Sequence, residues 1–184
     1  MSHRNLRALC EGAIMVALAQ LLSYIKLYSM PYGGSVTFAM LPIFIYCARW
    51  GTGRGLIASF ALGVLQLFLD RAYGVAWYSF LGDYIFAYGL LGLAGLFHKK
   101  KYGFFYGTLL GSFARFLVAW VLGALAYAEA TPTNSVFGIE NLGPWLYSTI
   151  YNGFYIFASM ALCLAVGLIL YKPLGKYLRG EDIL

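Results

Sequence analysis

The sequence predicts an all-α integral membrane protein of six transmembrane helices, with both termini on the cytoplasmic side. Three observations lead there: the composition, the lengths of the apolar runs and the placement of the basic residues. Of the 184 residues, 61% are hydrophobic and 11% are charged, whereas about a quarter are charged in an ordinary soluble domain. Mean hydropathy is +0.73. Repeated apolar runs of about twenty residues are long enough to cross a hydrocarbon layer of roughly 30 Å. The chain is expected to form a single domain, residues 1–184.

The first run, near residues 6–28, is full length and lacks a small-residue cleavage site, so it reads as a retained helix and not a signal peptide. "SMPYGGS", residues 29–35, ends it, because Gly and Pro punctuate regular structure. The second run, near 35–48, and the third, near 55–69, flank "ARWGTGRG". Both are short for a full crossing, which points to tilt, an interfacial portion or a locally thinned bilayer. After "DRAYG" comes a fourth run near 75–97, closed by "HKKKYG". The fifth, near 104–127, leads into the long polar stretch "AEATPTNSVFGIENLGP", and the sixth, near 145–171, into a basic tail.

With the N-terminus inside, ten of the thirteen Lys and Arg residues fall on the cytoplasmic side: Arg4, Arg7, Arg49, Arg54, Lys99, Lys100, Lys101, Lys172, Lys176 and Arg179. Lys26 and Arg71 fall outside. This bias is the positive-inside pattern of an even number of spans. It accounts for the net charge of +6 without a nucleic-acid partner. The cysteines, Cys10, Cys47 and Cys163, are far apart and read as small buried hydrophobes. His3 and His98 sit at cytoplasmic ends, so no metal site is expected. The chain carries no phosphate loop, nucleophile elbow, zinc-protease motif or paired carboxylates. No cofactor is expected, and binding or transport is favoured over enzymatic turnover.

Three ionisable residues stand inside spans: Glu11, Asp83 and Arg115. Such groups are costly in lipid and usually face a partner or a cavity. Glu11 is one turn into the first helix and reads as interfacial. Asp83 and Arg115 can meet across the fourth and fifth helices as an ion pair. On the outer side stand Tyr73, Trp77, Tyr78, Tyr84, Trp120, Tyr127, Trp145, Tyr147, Tyr151, Asn152 and Tyr155. These describe an interfacial aromatic belt. They equally describe a pocket for a flat cationic or amide-like heterocycle, held by stacking, cation–π attraction and charge-assisted hydrogen bonds. In the first helix Ala13 and Ala17 form a small-x-x-x-small pair, a device for close helix approach in membranes.

The order "EGAIMVALAQLL", "MPYGGSVTFAMLPIFIYCARWGTGRGLIA", "RAYGVAWYSFLGDYIFAYGLLGLAGLF" and "LYSTIYNG" resembles the thiamine-specific substrate-binding subunit, or S component, of energy-coupling factor transporters. The likeness runs over most of the chain and is weakest in residues 128–144 and the tail. It implies a high-affinity thiamine-binding subunit in the bacterial cell membrane that does no chemistry. Such a subunit works with a shared transmembrane coupling protein and two cytoplasmic ATPases. The resemblance implies that Ala13 and Ala17 dock on the coupling protein and that Gly33 and Gly34 hinge a lid. It places the acid that reads the aminopyrimidine at Asp83, with Tyr84, Tyr73, Tyr147 and Asn152 around the ligand. In the fifth helix a family histidine falls on Ala119, a stacking tryptophan on Tyr127 with Trp120 in the adjacent turn, and a basic residue on Arg115. The acid here is Asp where the family has Glu. Two alternatives remain at this stage: an S component for another vitamin or small heterocycle, and a membrane assembly protein.

Overall fold

The computed structural model describes residues 3–30, 33–69, 81–129, 136–139 and 142–183. Within them run helix α1 (His3–Ser23), a hairpin of strands β1 (Tyr28–Ser29) and β2 (Ser35–Val36), and helices α2 (Met40–Trp50) and α3 (Thr52–Leu69). Helices α4 (Gly82–Phe97), α5 (Gly103–Glu129) and α6 (Pro144–Leu178) follow, and a short 3-10 turn (Glu181–Ile183) ends the chain. Helices α1, α3, α5 and α6 are long and apolar enough to cross a membrane, while α2 and α4 are apolar but shorter.

The second helix begins at Met40 and not near residue 35, because Ser35 and Val36 pair antiparallel with Ser29 and Tyr28. The expected break at residues 48–55 contracts to Gly51, whose φ of 80° suits a residue without Cβ, so α2 continues through Arg49 and Trp50. At 1.5 Å per residue, α2 covers about 16 Å, half a hydrocarbon layer. Nine of its eleven residues are buried. It is the central helix, with Met40, Ile43, Phe44 and Cys47 packed against Leu62, Leu91 and Cys163. Cys10 is exposed, unlike the other two cysteines. The outward apolar side chains, such as Ile57, Phe68, Leu168 and Ile169, are those of a lipid-facing surface. α6 extends past the expected end at residue 171, and Pro173, which has no N–H to donate, accompanies a kink at Leu174.

Helix α4 is regular only over Ala87–Gly89. Before that comes a π-helical turn, Gly82–Phe86, and after it a 3-10 stretch, Leu90–Phe97. The glycine spacing explains the second of these. A 3-10 helix has three residues per turn, so residues at i and i+3 stack on one face. Gly89, Gly92 and Gly95 share that face. A Cβ there would lie 2.6 Å from the Phe60 ring, 2.5 Å from the Leu56 backbone and 2.4 Å from the Gly51 and Thr52 backbone, respectively. The stripe therefore lets α4 lie directly on α3.

The end of the bundle that holds both termini is tied by a buried arginine. The Arg49 side chain is 0% exposed and uses every N–H it has. Nε and Nη2 donate to Glu11 at 3.0 and 3.1 Å, and Nη1 and Nη2 to Asp182 at 2.8 and 3.1 Å. Nη1 also donates to the Tyr177 carbonyl at 2.6 Å, and the guanidinium lies 3.4 Å over the Tyr177 ring. Arg7 donates to Glu11 and Asp182 as well, and Trp50 Nε1 to Glu11 at 2.8 Å. Glu11 is thus the α1 arm of this cluster. Arg49 holds the Asp182 carboxyl down to about 2. Because that value is depressed, the contribution of Asp182 to stability is present above the ordinary carboxylate range near 3.9 and is lost as pH falls from there through about 2.

Candidate ligand-binding site

At the opposite end, α4, α5, α6 and the hairpin surround a cavity of about 100 Å³. Its lining includes Gly34, Asp83, Tyr88, Arg115, Asn152 and Tyr155. The π-helical turn carries Asp83 and Tyr84 to the wall, and one turn later Tyr88 lies under Arg115, whose guanidinium is 4.0 Å from the ring centroid. A π-helical turn is wider than the α-helix around it, and such turns recur at functional positions. Asp83 and Arg115 both line the cavity. Arg115 Nε is buried without a hydrogen-bond partner among the described residues. A buried donor left so costs free energy that a ligand acceptor would recover.

From α6, Asn152 arrives with its amide committed. Nδ2 donates to the Ala119 carbonyl at 3.1 Å and to Ser148 Oγ at 3.0 Å, while Oδ1 accepts from the Tyr155 hydroxyl at 3.0 Å. Both amide protons are spent, so what Asn152 can still offer is a lone pair on Oδ1. Ala119, with no side chain beyond Cβ, leaves its carbonyl open to this contact. Tyr127, Tyr147, Tyr151 and Tyr155 form a column of rings, with successive centroids 4.7, 5.7 and 6.0 Å apart. Its inner members line the cavity. Tyr147 stands a turn nearer the start of α6, and Tyr127 is anchored by its hydroxyl to the Leu142 carbonyl at 2.7 Å.

The hairpin closes over the column. Gly34 N donates to the Tyr151 hydroxyl at 3.0 Å, and a Cβ on Gly34 would sit 2.8 Å from the Tyr155 ring. Gly33 has φ 106° and lines the same wall. Glycine at both positions therefore permits the turn and its close seat on α6.

Of the residues expected around a ligand, Asp83, Tyr84, Asn152, Gly33 and Gly34 come together at this cavity. Tyr147 and Tyr127 are not in its lining but continue the ring column from Tyr151, with Tyr127 and Tyr147 tilted against one another. Trp120 packs instead on the exposed Trp145, 5.0 Å between centroids, and donates from Nε1 to Thr149 Oγ1 at 2.8 Å. Tyr73 lies outside the described residues. The cavity also contains Tyr88, Ser35 and Thr37, which the sequence did not single out. Tyr88 was readable: it follows Tyr84 by four residues, the spacing that returns to one helix face.

A helical, multi-pass membrane protein with an acid, a guanidinium whose Nε is buried, an amide and tyrosines lining one cavity has the features of a solute-binding membrane protein. The chain belongs to the thiamine transporter family: the family model described as thiamine transporter protein (Thia_YuaJ) matches residues 9–178. Two relatives are both named thiamine transporter ThiT. One, from Bacillus subtilis (strain 168), is 28% identical over 97% of each chain. The other, from Lacticaseibacillus paracasei, is 27% identical over 91% of this chain and 89% of the relative. A solved structure of ThiT from Listeria monocytogenes shares the fold with a TM-score of 0.83 and 23% identity, covering 96% of this chain and 99% of that one. The protein is accordingly a multi-pass protein of the cell membrane.

Proposed function

We propose that the chain is the high-affinity thiamine-binding subunit of an energy-coupling factor vitamin transporter, with both termini cytoplasmic and no catalytic activity of its own. The observation that carries this reading is the cavity that sets Asp83 beside Arg115, Asn152 and the tyrosine column. Thiamine has an aminopyrimidine whose amino group is a hydrogen-bond donor and whose ring nitrogens are acceptors. Asp83 and Asn152 Oδ1 supply acceptors, and Arg115 Nε supplies a buried donor. The cationic thiazolium suits tyrosine faces. At about 100 Å³ the cavity is smaller than the roughly 300 Å³ or more usual for small-ligand pockets, so accepting a two-ring ligand requires the hairpin to lift. Isothermal titration of the purified protein with thiamine is expected to give one site per chain. No heat with thiamine, together with a response to another vitamin, would assign the cavity to a different S component.

Uptake then requires a coupling protein and two ATPases. Support comes from the far side of α1. Ala13 and Ala17 are exposed and line an apolar groove of about 560 Å³ together with Gly12, Ala58, Ala61 and Leu65. A groove floored by small residues admits a partner helix at close range. Ala13→Trp is expected to reduce assembly with the coupling protein by about tenfold or more while thiamine affinity is unchanged, because the groove and the cavity are separate. Co-purification and thiamine titration on the same sample check this, and equal loss of both would make the groove internal packing.

A further inference from the structure

We infer that the C-terminal turn is a positioning device for coupling: Asp182, through Arg49, fixes the angle at which α1 presents its docking face. The inference rests on the proposed role of Ala13 and Ala17. Helix α1 lies at the edge of the bundle, with most of its apolar residues turned outward, and its contact with α2 runs through small groups. A Cβ on Gly12 would come within 2.9 Å of the Tyr46 hydroxyl, and that hydroxyl donates to the Ala8 carbonyl at 2.9 Å. That hydrogen bond and the one from Arg54 Nη2 to Asn5 Oδ1 at 2.7 Å each restrain α1 at a single point, so its rotation and tilt depend on a further tie.

The Arg49 cluster sets them. Arg49 stands on α2, Glu11 and Arg7 on α1, and Asp182 on the terminal 3-10 turn, so one saturated guanidinium joins three separate parts of the chain. Glu11 sits one residue before Gly12 and two before Ala13. Any roll of α1 that moves Ala13 relative to α3 therefore also breaks the fork on Glu11. Asp182 occupies the other edge of the same guanidinium. Without its carboxylate, two Arg49 donors and one Arg7 donor lose their acceptor, and Glu11, which already accepts from both arginines, is the one carboxylate left to them in the cluster. The groove that Ala13 shares with Ala58 and Ala61 then loses its fixed width. Lying at the far end from the cavity, the device acts on coupling and not on ligand capture.

The test uses full-length Asp182→Asn, which keeps the size and removes the charge, alongside Asp182→Glu, deletion of residues 181–184, and Ala13→Trp. Thiamine affinity, assembly with the coupling protein, and hydrogen exchange of the α1 amides are measured on each. Asp182→Asn and the deletion are expected to lower assembly by about threefold to tenfold and to speed exchange in α1, with thiamine affinity kept within about twofold. Asp182→Glu is expected to restore most of the assembly. Ala13→Trp is expected to lose assembly with α1 exchange unchanged, and if it does not, the docking role of that face fails independently of Asp182. Parental assembly in Asp182→Asn, or a loss of thiamine affinity in step with assembly, overturns the inference.

Discussion

Asp83→Asn is expected to weaken thiamine binding by at least about tenfold, while the ligand-free protein keeps most of its stability. The substitution preserves size but exchanges an acceptor-only carboxylate for an amide, one side of which donates. A charge-assisted hydrogen bond contributes about 1.5–3 kcal/mol, and a donor set against the ligand's amino group adds the cost of an unsatisfied pair. A loss of about 1.4 kcal/mol is already one decade in affinity. The competing role for Asp83 is purely structural, as the counter-charge of Arg115 within the cavity they share. That role predicts the opposite result: a large fall in melting temperature, because a buried guanidinium loses its compensating charge, with affinity little altered in the protein that remains folded. Melting temperature and thiamine dissociation constant on one sample separate the two, and unchanged affinity removes Asp83 from ligand recognition.

The largest effect on stability is expected at the other end of the molecule, from Arg49→Met. Methionine fills much of the same space but leaves Glu11 and Asp182 facing one another without their cation. Removing one partner of a buried ion pair costs about 3–5 kcal/mol. The lower figure applies, because the Glu11 and Asp182 side chains retain 18% and 38% exposure. For a chain of this length, about 3 kcal/mol corresponds to a melting temperature lower by roughly 6–12 °C. Adding Glu11→Gln and Asp182→Asn to Arg49→Met is expected to recover much of the loss, since the stranded charges are then gone. A single variant that melts within about 2 °C of the parent contradicts the arrangement. A triple variant as unstable as the single one assigns the effect to the lost stacking on Tyr177.

The contrast between these two sites shows what the sequence reveals. Asp83 was legible because a lone acid in an apolar run is costly and so marks itself, and Arg115 was legible for the same reason. The Arg49 cluster was not, because Arg49 lies between apolar residues and a glycine-rich stretch, where a topological charge is the simplest reading. Its partners stand 38 and 133 positions away. Composition and the lengths of the apolar runs give the helical membrane fold, which depends on averages over many residues. They do not give the commitment of Asn152, whose two amide protons are spent on Ala119 and Ser148, because that depends on how α5 and α6 cross. The 3-10 form of α4 falls between these cases. The spacing of Gly89, Gly92 and Gly95 is plain in the sequence, but its meaning appears only with α3 in place.

In the proposed function, the seat of the hairpin on α6 bears on time as well as affinity. If the hairpin is the lid of the proposed thiamine site, a ligand entering past Gly34 breaks the contact with the Tyr151 hydroxyl, and by reversibility a ligand leaving breaks it again. Association therefore runs below the diffusional encounter rate by the fraction of time the hairpin is raised, and escape is slowed by the same gate. On the proposed function, a vitamin caught from a dilute exterior stays aboard long enough for a loaded subunit to wait its turn at a shared coupling protein. In that role, the hydrogen bond between one backbone amide and one tyrosine contributes to the residence time of the ligand.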